Sequence, residues 1–142
     1  MAGTTFLYKG DKGDSFTAKT QCDVLEGYLV KAMSTQVVPT TTDPFAVLEV
    51  DKCDAAADTN LCVGFALGSI TSGNTVGVQT RGTCIWTAAG ALEAGDPVHT
   101  SADPLAVIDT TDTGSTIFTY RPVGVALGAA GSGEAVLVNF RI

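Results

Sequence analysis

A chain of 142 residues is the size of one domain and can bury a core of its own. Its 45% apolar and 16% charged residues exclude a disordered chain, and a formal net charge of −7 argues against a surface built to neutralise nucleic-acid phosphates or anionic lipid. No run of 18 apolar residues is present and residues 1–8 lack the charge and length of a signal peptide, so no membrane segment is predicted.

In chain order, the first β-prone run is Thr4, Thr5, Phe6, Leu7 and Tyr8, and a polar turn over residues 9–14 separates it from a second run at 15–20. Residues 1–20 therefore read as an N-terminal arm or first strands, and residues 21–142 as a single β domain. Residues 27–32 are strand-like and 39–43 form a polar loop. A single helical turn is predicted near 54–58 or 88–92, and no segment carries a sustained helical period. Val63, Phe65 and Leu67 alternate with Gly64, Ala66 and Gly68, the period of a strand, and Ser72-Gly73 turns the chain into a return strand through Val76 and Val78. A strand with Trp86 follows, then the turn Glu93-Ala94-Gly95-Asp96-Pro97 leading into Val98 and Thr100, and a polar loop at 109–116. Val123, Val125 and Leu127 then alternate with Gly124, Ala126 and Gly128 before a second Ser-Gly turn at 132–133. Short strands at this spacing predict an all-β fold, a compact barrel or sandwich.

The last hairpin repeats the earlier one. At an offset of 60, residues 63–81 and 123–141 share ten of nineteen residues, and the match runs upstream without a gap from 43 against 103, for fifteen of 39. Repetition at fixed spacing marks a duplicated supersecondary unit. The nearly bare Gly/Ala face of each copy is expected to lie close against another layer, its sister copy being one candidate.

Catalytic chemistry is hard to assemble. His99, the only histidine, stands in a predicted strand and reads as a surface or interface side chain rather than a base. Cys22, Cys53, Cys62 and Cys84 contain no CxxC pair, so a zinc site is not predicted, and they read as small buried apolar residues, with Cys53–Cys62 a disulfide only in an oxidising medium. Asp51, Asp54 and Asp58 lack the calcium-loop spacing and read as a solvated loop. No cofactor, metal or enzymatic activity is predicted. The segment around Gly95-Asp96-Pro97 also resembles a turn of biotinyl and lipoyl carrier domains. Those domains present a lysine at a hairpin tip, and the sole candidate, Lys31-Ala32-Met33, lies in or just after a strand.

The two V-G-[FV]-A-L-G segments, each followed by S-G, together with Leu92-Glu93-Ala94-Gly95-Asp96-Pro97-Val98, resemble the capsid cement, or head decoration, family of tailed viruses. The resemblance runs from about Cys22 onward, and longer stretches at 33–43 and 54–60 depart from it. It implies a non-enzymatic virion protein, made in the host cytoplasm, that binds the major capsid protein on the outside of the head and stabilises it against genome pressure. It also implies a homotrimer, with neither nucleic acid nor membrane as partner, and the acidic charge suits a site outside the packaged genome. On this reading Thr4, Thr5, Phe6, Leu7 and Tyr8 are candidates for strand addition to a capsid sheet. Trp86, Phe118 and Tyr120 are candidates for trimer contacts. Another β-structured virion component, a tail or fibre module, shares the Thr/Gly-rich composition and is the alternative, with the carrier domain behind it.

Overall fold

The structure is a computed structural model and describes residues 15–36, 47–109 and 121–142. Among these residues it is all-β apart from one 3-10 helix, Ala56–Leu61. The strands of the first half are β1 (Ser15–Thr20), β2 (Leu29–Ala32), β3 (Leu48–Lys52), β4 (Cys62–Ala66) and β5 (Thr75–Gln79). Those of the second half are β6 (Arg81–Ala88), β7 (Pro97–Thr100), β8 (Ala106–Asp109), β9 (Gly124–Ala126) and β10 (Ala135–Arg141). They close into two five-stranded barrels, β1-β3-β2-β4-β5 and β6-β8-β7-β9-β10. Residues 88–92, one of the two places where a helical turn was expected, contain the end of β6 and a bridge at Leu92 instead.

The cyclic order is the same in both barrels, so the repeated unit is a whole barrel rather than the hairpin that the sequence displays. Bridges Val24–Ile70 and Leu92–Ala130 correspond. So do the hydrogen bonds Gly27 N–H to Ala66 O (2.8 Å) and Gly95 N–H to Ala126 O (2.7 Å), and those from Gly73 and Gly133 to Thr20 O and Ala88 O, both 2.8 Å. Gly27 and Gly95 hold φ of 90° and 93°, left-handed values that favour glycine at this shared turn.

The gapless match upstream of the hairpins needs correction. Gln21 N–H donates to Val50 O and Ala89 N–H to Val107 O, which makes Val50 the counterpart of Val107. An offset of 60 would select Val47, which lies outside β3 and is 39% exposed, whereas Val50 and Val107 are both fully buried. Strand register follows the side chain that the core requires, and a shift of register reassigns faces. Phe45 and Ala46, also in the matched stretch, lie outside the described residues.

The expectation for the bare faces is met in part. A side chain at Gly64 or Gly124 would run into the backbone oxygen of Gln79 or Asn139 on the partner strand of its own hairpin, not into the sister copy. Ala66 and Ala126 are buried, but Gly68 and Gly128 meet nothing within 4 Å. Inside the first barrel the core consists of Ala18, Val24, Val30, Val50, Ala66, Val76 and Val78. These are small side chains, whereas the second barrel encloses Trp86 and Phe140. Phe65 of β4 points out of the first core instead, and its destination joins the two barrels.

Candidate functional site

Phe65 leaves the first barrel and, with Leu29, Cys53 and Cys62, enters the core of the second beside Trp86 and Phe140. Its ring stands edge-on to Trp86 at 5.3 Å and to Phe140 at 5.3 Å. Leu29 N–H donates to Pro104 O (2.9 Å), just ahead of β8. These residues stop one mouth of the second barrel, the end framed by the starts of β6 and β8 and the close of β10. Trp86, a candidate trimer contact, is only 2% exposed, and its indole N–H donates to Gly27 O across the seam at 2.8 Å. Its ring is thus engaged within the chain. The other candidates, Thr4, Thr5, Phe6, Leu7, Tyr8, Phe118 and Tyr120, lie outside the described residues.

A polar lattice flanks the seam. Lys31 Nζ lies 2.8 Å from Asp58 Oδ1, and the second carboxylate oxygen accepts the Asp54 N–H. Thr100 Oγ1 donates to Ala55 O (2.9 Å) and Thr59 Oγ1 to Arg121 O (2.6 Å). Arg121 returns its guanidinium to Cys62 O at 2.8 Å. The hydrogen bond that Lys31 donates to Asp58 holds its ammonium above the usual range. Burial pushes the Asp58 carboxyl up, but Lys31 and the Asp54 N–H more than offset it and leave it lowered. Lys31 lies within β2 and is tied to Asp58, so it does not present the free hairpin-tip lysine of a carrier domain.

His99 is not a surface residue. It is 1% exposed, with Nδ1 2.7 Å from Thr100 O, because β7 is enclosed on both faces beyond Pro97. Cys53, Cys62 and Cys84 are buried, Cys22 is half-buried, and all four are free thiols. Among the described residues no three His, Cys, Asp or Glu side chains converge as metal ligands. Arg81 and Arg141, equivalent in the repeat, stand opposite each other across β6 and β10.

What remains is surface. An open groove of about 380 Å³ runs along the Val24–Ile70 bridge between Asp23, Leu25, Ser69 and Thr71. On the second barrel Val125 and Leu127 are 39% and 48% exposed, although their counterparts Phe65 and Leu67 face the seam. Sequence alternation identified this face without revealing that in one barrel it would be covered and in the other open. Such an arrangement can bind and brace.

Comparison with known proteins agrees with that character. The sequence pattern of the phage cement protein family matches residues 10–142. Among solved structures, the crystal structure of the head fiber gp8.5 N base in bacteriophage phi29 has a similar fold, with a TM-score of 0.58 and 17% identity. The match covers 89% of this chain and 92% of that one. No curated protein sequence matches the chain.

Proposed function

The chain belongs to the phage cement protein family, structural proteins of the phage head, and from that premise we propose that it binds the outer face of the assembled capsid, contacts the major capsid protein, and stabilises the mature head against the pressure of packaged genome. The observation that carries this reading is the family match over residues 10–142. Physical support comes from two closed barrels joined through an aromatic cluster, a body suited to bracing a lattice. A ligand that binds only the mature lattice stabilises it by RT ln(1 + [L]/Kd) per site, so a modest affinity repeated over many sites suffices. The net charge of −7 favours a position outside the DNA-filled interior.

On the shell the protein acts as a homotrimer, and residues 4–8 add a strand to a capsid sheet edge. Electron cryomicroscopy of purified particles tests the location, and stripping the protein should lower the temperature of genome release. Density inside the shell, or unchanged release, would reject the cement reading. Deleting residues 1–9 should abolish binding to stripped particles while leaving the far-ultraviolet spectrum unchanged; retained binding removes the arm from the reading. The phi29 neighbour favours a second reading, a base that carries a fibre, which predicts a projection extending from each bound copy.

A further inference from the structure

The contact between the two barrels is directional. One face of the first barrel, the side of β2 and β4 that bears Leu29 and Phe65, stops the mouth of the second. Leu29 pairs with Phe65 across β2 and β4, and in the second barrel Pro97 pairs with Val125 at the equivalent place. The second barrel therefore carries its own version of the same face: Pro97, Val125 and Leu127. Nothing of the described chain stands beyond it as the second barrel stands beyond Phe65, and Val125 and Leu127 are left 39% and 48% exposed.

The first barrel correspondingly has its own version of the receiving mouth, at the starts of β1 and β3. Phe16, packed against the core near the start of β1, is only half-buried, and Val47 beside the start of β3 is 39% exposed. One chain thus displays both halves of a contact that it makes internally only once.

We propose that the Pro97–Val125–Leu127 face of one copy docks on the Phe16–Val47 mouth of a second copy, repeating between chains the contact that joins the barrels within a chain. A head-to-tail interface of this kind propagates until a ring closes. In a trimer the ring would alternate internal and intermolecular versions of one contact around its barrels. The inference deepens the self-association named above and rests on that part of the reading, while capsid binding plays no part in it. The smaller plug suits the smaller socket, since Val125 replaces Phe65 and Ala18 stands where the second barrel has Trp86. With −7 on every copy, added salt screens the mutual repulsion and should strengthen association through an apolar face.

The test uses the full chain without capsids. Sedimentation velocity over a concentration series should reveal species larger than the 14.5 kDa monomer, favoured by salt. The Val125→Asp/Leu127→Asp double variant should weaken that association by at least about tenfold with unchanged circular dichroism, the loss typical of charge placed in an apolar contact centre. A photo-crosslinking residue at position 127 of the otherwise native chain should give intermolecular adducts to peptides containing Phe16 or Val47, a readout independent of how the double variant folds. A wild-type chain that is monomeric at every concentration, or that associates equally well as the double variant, overturns the proposal. So do crosslinks confined to residues 1–14 of the same chain, which would make that segment the occupant. Because no particle is involved, failure here and failure of capsid mapping are separate results.

Discussion

Phe65 of the first barrel meets Trp86 of the second edge-to-face, with ring centroids 5.3 Å apart and planes at 83°. Phe140 completes the cluster, perpendicular to Phe65 at 5.3 Å and tilted by 49° from Trp86 at 5.5 Å. The positive edge of one ring faces the negative face of the next, so the rings hold each other in orientation as well as in contact. The indole N–H would be costly to bury unpaired. Its acceptor, Gly27 O, belongs to the turn before β2, so the bond that satisfies Trp86 also ties it to the opposite barrel. Residues of the first barrel thus complete the core of the second, while the first keeps a smaller core of its own.

Removing the Phe65 ring should accordingly weaken the whole chain. Phe65→Ala is expected to cost about 3–5 kcal/mol, because the transfer term is joined by a cavity between barrels that cannot easily collapse. Val125→Ala, at the equivalent position on the open face, should change monomer stability by about 0.5 kcal/mol or less. Urea denaturation of both variants at low protein concentration measures the contrast. Equal losses would mean that the seam is not where the stability resides.

The glycines of the two hairpins divide in the same way. Gly64→Ala and Gly124→Ala place a methyl group against the carbonyl oxygens of Gln79 and Asn139, backbone atoms that cannot rotate aside. Each should lose roughly 1–3 kcal/mol, the range for overpacking. Gly68→Ala and Gly128→Ala meet open space and should leave the melting temperature nearly unchanged. Comparable melting temperatures for all four variants would contradict the close approach at Gly64 and Gly124.

Those glycines also explain what the sequence could and could not convey. Alternation of Val, Phe and Leu with Gly and Ala announced strands and their duplication. It did not reveal which face was inside. On β4 Ala66 turned into the first barrel and Phe65 out of it, and on β9 Ala126 turned inward while Val125 stayed outside, against the ordinary assumption. The equivalence of β1 with β6 was invisible because Ala18 and Trp86 occupy the same place in their barrels. A core position constrains volume together with its neighbours, and the second mouth has Phe65 and Phe140 around it. The register of β3 was obscured by a local likeness, residues 43–49 to 103–109, that the ladder overrides by three residues. The seam was illegible for a different reason: it joins positions 27, 65, 86 and 140, which no local pattern connects.

The Lys31–Asp58 pair gives the stability a defined pH dependence. The Asp58 carboxyl is lowered from 3.8, so its contribution is present above the unfolded value and disappears as pH falls through the lower folded one. The Lys31 ammonium is raised from 10.5, so its contribution is complete below that value and is lost only as pH climbs past it. Asp58→Asn should therefore cost about 0.5–1 kcal/mol at neutral pH, a magnitude suited to a partly exposed pair. The gap from wild type should close as pH falls through the lowered folded value of Asp58, below which both proteins carry a neutral side chain at this position. A gap that persists unchanged into acid would assign the cost to lost packing of the 3-10 helix instead of to charge.

The cysteines should behave as two populations. The hydrogen bond with Cys62 and then burial push the Cys53 thiol far up, and burial also raises Cys22, helped by the hydrogen bond with Asp51. Thiolate is the reactive form, so the Cys53 thiol, kept protonated inside the seam, should resist both alkylation and oxidation. At pH 8 a thiol-exchange reagent should label native protein slowly and at Cys22 alone, and all four cysteines promptly in guanidinium. Asp51→Asn should speed the labelling of Cys22 by removing a neighbour that favours its protonated form. Rapid native labelling of Cys53 or Cys62, located by peptide mass, would show that the seam opens on the timescale of the reaction and that the two barrels are not locked by the Phe65–Trp86 contact.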